Sequence, residues 1–187
     1  MKKYYLILIL SFITYFNYAQ DASVESSTFG IQTGLLGVWA HNEFKLTNTL
    51  ALRSEVGFDS AIWGGHFYDG VGFVMAPVLT LEPRWYYNIK KRFAKSKTID
   101  GNSANFLSIK TSYHPDWFVI SNEDNVSVES DLSVIPTWGI RRGIGRHFTY
   151  ETGIGVGYQY VFEQPSQFKS AESNVIFNIH VRIGYRF

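Results

Sequence analysis

Residues 174–187 read NVIFNIHVRIGYRF. Val175, Phe177, Ile179, Val181, Ile183, Tyr185 and Phe187 alternate with Ile176, Asn178, His180, Arg182, Gly184 and Arg186. Successive side chains of a strand point to opposite faces, so this stretch is a ribbon with one apolar face and one mostly polar, basic face. The same period of two recurs along the chain, between polar or Gly-containing stretches, in Thr49–Asp59, Gly72–Asn88, Asn105–Ile120, Leu132–Arg141 and Arg146–Phe162. Leu50, Leu52, Val56 and Phe58 oppose Arg53, Glu55 and Asp59, while Leu79, Leu81, Pro83 and Trp85 oppose Thr80, Glu82 and Arg84. No convincing helical period is present, and an all-β chain of neighbouring antiparallel strands follows.

Alternation alone does not say which face is inside, since a soluble carrier barrel turns its apolar face inward and a membrane barrel turns it outward. Three features select the second. The apolar face carries too many Trp, Tyr and Phe rings for the interior of a small barrel, whereas Gly153, Gly155 and Gly157 fall on the polar face, where long Arg and Lys side chains need room. Rings gather near the two strand ends, with Trp85, Tyr87, Trp138, Tyr150, Tyr185 and Phe187 towards one rim and Trp117, Tyr158 and Tyr160 towards the other. From Tyr150 to Tyr160 is ten steps of ~3.3 Å, which at a tilt near ~40° climbs about 25 Å, the height of the apolar band of an outer-membrane barrel. The strands also exceed the roughly five or six residues usual in soluble sheets.

The amino end bears on compartment. Lys2 and Lys3 precede an apolar run from Tyr4 to Phe16 and then Asn17, Tyr18, Ala19 and Gln20, the pattern of an export signal ending near Ala19. The expected organisation is a signal over residues 1–19 and one barrel domain over residues 20–187. The chain has no Cys, hence no disulfide framework, thiolate metal site or lipid-attachment cysteine. Without Lys2 and Lys3 the balance is 15 basic against 16 acidic residues, close to neutral, which does not indicate a nucleic-acid partner.

Together these features resemble the small outer-membrane β-barrel proteins of Gram-negative bacteria. The final VRIGYRF looks like the terminal signal read by the barrel-assembly machinery in that family, and the NYAQ ending of the signal, with abundant Tyr, Phe, Asn and Lys, is similar in style to Bacteroidetes chains. The resemblance implies a closed, up-and-down transmembrane barrel of eight strands in the outer membrane, with outer-membrane lipid and lipopolysaccharide as its surroundings. The short Arg142–Gly145 turn and the chain end then mark the periplasmic rim, and the longer segments Ser60–Val71, Ser121–Asp131 and Glu163–Ser173 face outward, where they offer a surface to an extracellular ligand. The long basic IKKRFAKSKTIDGNSA is expected to be a solvated loop on the periplasmic rim. Six clear strands leave the count open at STFGIQTGLLGVWAHNEFKL, whose alternation changes phase at Leu35 and Leu36. One bulged strand, two strands meeting there, or an earlier strand in Asp21–Ser27 all fit.

The polar face collects Arg53, Glu55, Glu82, Arg84, Lys110, Asp116, Arg141, Glu151 and Arg182, with Glu43 and Arg186 beside them. In a narrow lumen these charges have to pair, because an unpaired charge taken from water costs several kcal/mol, so a salt-bridged plug is expected and no catalytic residues, with structural or adhesive function through the loops. Two alternatives stand beside it: a narrow small-solute channel, and an acyl hydrolase or acyltransferase acting on lipid. The second rests on Ser112, His114 and Asp116 in TSYHPDWF, residue types suited to nucleophilic acyl transfer, although i and i+2 on one strand lie ~6.6 Å apart and would need another strand's help. Similar barrels include lipid A deacylases and palmitoyltransferases. The five His show no metal spacing and no cofactor is expected; SNEDNVSVESD gathers four carboxylates that read as a solvated loop before a Ca2+ site.

Overall fold

A computed structural model describes residues 22–64, 71–124, 126–163 and 170–187. The segment read as an export signal, residues 1–19, lies outside the described residues. The strands are β1 (Ser27–Gly34), β2 (Gly37–Lys45), β3 (Leu50–Gly64), β4 (Val71–Trp85), β5 (Asn105–His114), β6 (Ile120–Ser121), β7 (Asp131–Ile144), β8 (Phe148–Val161) and β9 (Glu172–Arg186).

Each long strand pairs antiparallel with its neighbour along the chain, and β9 returns to pair with β1, from Gly30 opposite Arg186 to Gly34 opposite Arg182. β6 only prolongs the β5 position along β4, with Ile120 opposite Met75, so the wall has eight staves and closes on itself. Closure leaves no free sheet edge where the ladders are complete. The phase change at Leu35 and Leu36 is a two-residue turn between β1 and β2, the second of the three options left by the sequence.

Polarity is inverted relative to a soluble barrel. Arg53, Arg84, Arg141, Glu43, Glu82, Glu151 and Gln32 are among the most deeply buried side chains, while Phe29, Ile31, Ile154, Phe177, Ile179 and Val181 stand exposed on the outside. The inner glycines make this packing feasible. A Cβ on Gly157 would lie 2.1 Å from the Val134 carbonyl oxygen and 2.7 Å from the Ile135 Cα, so nothing larger fits there.

Several boundaries differ from the sequence expectation. β3 runs past Asp59 to Gly64. β4 stops at Trp85, after which Tyr86 turns inward and is fully buried. Asn105–Ile120 is not one strand: β5 ends at His114, ahead of Pro115, which has no N–H for a ladder. For the same reason the β4–β5 register skips Pro83 and the β7–β8 register skips Pro136.

The basic connection is not simply solvated. It forms helix α1 (Ile89–Ala94) and a single 3-10 turn at Asp100–Asn102, folded across the end of the barrel that holds the chain terminus. Ile89 joins Val24, Ala51, Tyr86, Ala104 and Phe106 in a small apolar cluster, with Ile99 against it, while Lys90, Lys91, Lys95 and Lys97 stay exposed. Glu25 ties the amino-terminal segment to this cap through the Gly101 N–H and the Arg186 guanidinium, the latter at 2.6 Å. This end is the closed end; at the opposite one, called the open end, no helix of the described residues crosses the lumen.

Candidate functional site in the lumen

The alternating inner faces of β2–β4 and β7–β9 bring Arg53, Arg84, Arg141 and Arg182 into contact with Glu43, Glu55, Glu82 and Glu151, four charges of each sign, all buried. Arg84 grips Glu151 with both terminal nitrogens at 2.8 Å and donates to Glu82 at 2.7 Å. Arg182 donates to both oxygens of Glu55 at 3.0 and 3.1 Å, and Arg53 Nε also donates to Glu55. Arg141 donates to Glu43 at 3.0 Å. Arg53 donates to Gln32 at 2.6 Å, and its other terminal nitrogen lies 3.8 Å from both Glu43 and Glu151, an ion-pair distance without a hydrogen bond. Such forked, charge-assisted contacts offset the cost of removing the ions from water.

Neutral groups complete the shell. Glu43 accepts from the Tyr86 hydroxyl at 2.8 Å and from the Asn102 amide, and Glu82 accepts from the Ser108 hydroxyl at 2.6 Å. Burial, and then the adjoining Glu43 carboxylate, push the Tyr86 phenol well above its ordinary pKa, so it remains a donor. Two guanidinium planes cover inward rings, Arg84 over Phe106 at 4.3 Å and Arg182 over Trp39 at 3.8 Å. The lumen is therefore filled from the cap up to the level of Arg182.

Above that level lies a cavity of about 400 Å³, bordered by Trp39, Lys110, Ser112, His114, Asn178 and His180 among others. His114 bridges two strands other than its own: Nδ1 is 3.1 Å from Asp131 of β7 and Nε2 is 3.1 Å from Asp59 of β3. Asp59 also accepts from the Trp39 indole at 2.7 Å.

The residues proposed from sequence separate accordingly. Arg53, Glu55, Glu82, Arg84, Arg141, Glu151 and Arg182 meet in the network; Lys110 lies above it, lining the cavity; Asp116 does not belong, being exposed in the connection that follows Pro115. Ser112, His114 and Asp116 are not brought together as a relay. Ser112 shares a 2.8 Å hydrogen bond with Thr80, His114 is taken by Asp59 and Asp131, and the Asp116 backbone N–H donates to Ser130. Asp131, counted with the loop carboxylates, is instead the buried first residue of β7. Trp85, Tyr87, Trp138, Tyr150, Tyr158, Tyr160, Tyr185 and Phe187 are exposed on the outer surface, and Trp117 is exposed in the β5–β6 connection and not on a strand.

Gln32, Tyr86, Asn102 and Trp39 were not picked out from sequence. Inward alternation points to Gln32 and Trp39, and to Tyr86 through the expected strand Gly72–Asn88, but Asn102 sits beyond any strand end, where the period gives no signal. No family model matches the chain, and no curated protein or solved structure does either.

Proposed function

We propose that the protein is an integral outer-membrane β-barrel, exported by its amino-terminal signal, with a structural or adhesive role exercised through the connections at its open end. The observation that carries this reading is the inverted polarity of the wall: an outer surface dominated by Leu, Ile, Val and aromatic side chains around an ion-paired interior. In water such a surface far exceeds the apolar patches of a few hundred Å² that soluble monomers tolerate, whereas hydrocarbon solvates it without penalty. The exposed Tyr and Trp near both ends suit the membrane interfaces. The reading orients the closed end to the periplasm, and assigns β9, the stave that closes the ring on β1, as the segment engaged by the assembly machinery. The test is heat-dependent gel migration of the membrane fraction. A folded, closed barrel migrates apart from the boiled chain and stays with membranes after carbonate washing; a single band in the soluble fraction would refute the proposal.

A further inference from the structure

β1 and β2 are shorter than their neighbours. They turn at Leu35 and Leu36, where Gly34 faces Arg182 of β9 and Gly37 faces Asp59 of β3. On one side β9 continues as Glu172–Val181, paired among the described residues only with β8; on the other, β3 continues as Ser60–Gly64, paired with β4. The last tie to the turn is the Ser60 N–H to the Leu36 carbonyl at 2.9 Å. Among the described residues the wall therefore has a notch two staves wide above the turn, about 10 Å across at ~4.8 Å per strand and roughly 15 Å deep along β3 from Ser60 to Gly64.

The notch opens onto the cavity. Leu35 and Leu36 at its floor and Ile176–Val181 along its β9 side all line that space. Inner side chains of β9 change from buried at Arg182 to half-buried at His180, Asn178 and Ile176, as expected where the facing wall is missing. Outside, the rim is apolar: Leu35 is 83% exposed, Phe177, Ile179 and Val181 flank the gap below the level of Tyr158 and Tyr160, and Val175 lies opposite Tyr158. Directly across the ring, β5 is four staves from β1 in either direction, and it presents Lys110, Ser112 and His114 to the cavity. Lys110 has no carboxylate of the described residues within 4.0 Å, unlike the four lumen arginines.

We infer that this notch is a lateral port through which a single-chain anionic amphiphile enters the cavity from the bilayer, its head at Lys110 and its hydrocarbon tail passing out between the β1–β2 turn and β9. The inference rests on the membrane reading above, since the notch faces hydrocarbon only if the outer surface does. Irregular or unpaired backbone at membrane depth is tolerated where it lines such a cavity. A volume of about 400 Å³ is near the small end of ligand sites, roughly 300–1,000 Å³, which favours one chain over two. An anionic head is selected by the Lys110 ammonium, which has no direct ion-pair partner among the described residues, and an apolar tail by the rim.

The full protein, folded in dodecyl maltoside at pH 8 with folding verified by the gel shift, is titrated with palmitate labelled at the carboxyl carbon. Saturable binding with a displaced carboxylate resonance is expected, weakened about tenfold or more by Lys110→Gln and abolished by Asn178→Trp, whose indole occupies the mouth, while both variants keep the gel shift. Neutral palmitoyl glycerol and tailless acetate should each bind at least about tenfold more weakly. Failure of the folded protein to bind palmitate saturably, or binding unchanged in both variants, overturns the inference and leaves the membrane reading intact. A disulfide-linked dimer of Phe177→Cys in membranes also overturns it, by placing a second copy on the β9 edge. Loss of the gel shift in the unaltered protein defeats both readings together.

Discussion

Glu43 is the residue on which most of the closed-end network converges, since Arg141, Tyr86 and Asn102 all donate to it and Arg53 and Arg84 lie 3.8 Å away. Removing one partner of a buried ion pair typically costs about 3–5 kcal/mol because the other charges stay buried. Glu43→Gln should therefore lower unfolding stability in urea by about that amount. Arg186→Gln, which loses a half-exposed pair with Glu25, should cost no more than about 1 kcal/mol. Equal effects from the two variants would show that the lumen ions are more solvated than their burial indicates. Gly157→Ala tests the inner wall: with backbone atoms 2.1–2.9 Å from the added carbon, it should destabilise by about 1–3 kcal/mol, measured in the same urea titration. Most of the network was legible from alternation because each member sits at an inward strand position. Its closure was not, because the Arg141–Glu43 bond joins residues 98 apart in the chain, and Asn102 comes from outside the strands.

At the scale of elements, alternation located β3, β4, β5, β7, β8 and β9 but left β1 and β2 unresolved, and errors fell where a second physical constraint intervened. Pro115 cuts β5 short at His114 and so removes Asp116 and Trp117 from the wall. The phase change at Leu35 and Leu36 required knowledge of pairing to be resolved as a turn. Helix α1 is six residues long with one buried side chain, Ile89, too little for a helical period to show among so many lysines. Its importance is nonetheless testable: Ile89→Ala should cost about 2–5 kcal/mol, with the surface variant Lys90→Ala close to neutral, both read from thermal loss of the gel shift. Equal, small effects would mean that the cap does not stabilise the barrel. For β9, Ile179→Arg should cost about 2–4 kcal/mol if that position is near mid-bilayer, and little if it faces water.

For the whole molecule, the filled closed half predicts an absence of stepwise conductance in planar bilayers at neutral pH, because Arg53, Arg84, Arg141 and their carboxylates leave no continuous path. Discrete openings would contradict that. An all-β wall with an inward polar face was legible from strand length and polarity, and its closure into eight strands was expected only through the family resemblance, whereas the lateral notch was not legible, since it arises from unequal strand lengths that only the register reveals. The central claim, that hydrocarbon bathes the apolar face while the ionic face is enclosed, is open to direct measurement because the chain has no cysteine of its own. A nitroxide is attached to Ile179→Cys or Thr149→Cys in protein reconstituted in vesicles, and its collisions with oxygen and with a water-soluble nickel chelate are compared. At Ile179→Cys the claim predicts that oxygen dominates, as in bilayer interior, with neither agent reaching Thr149→Cys, buried in the filled half, freely; dominance of the nickel chelate at Ile179→Cys would contradict it.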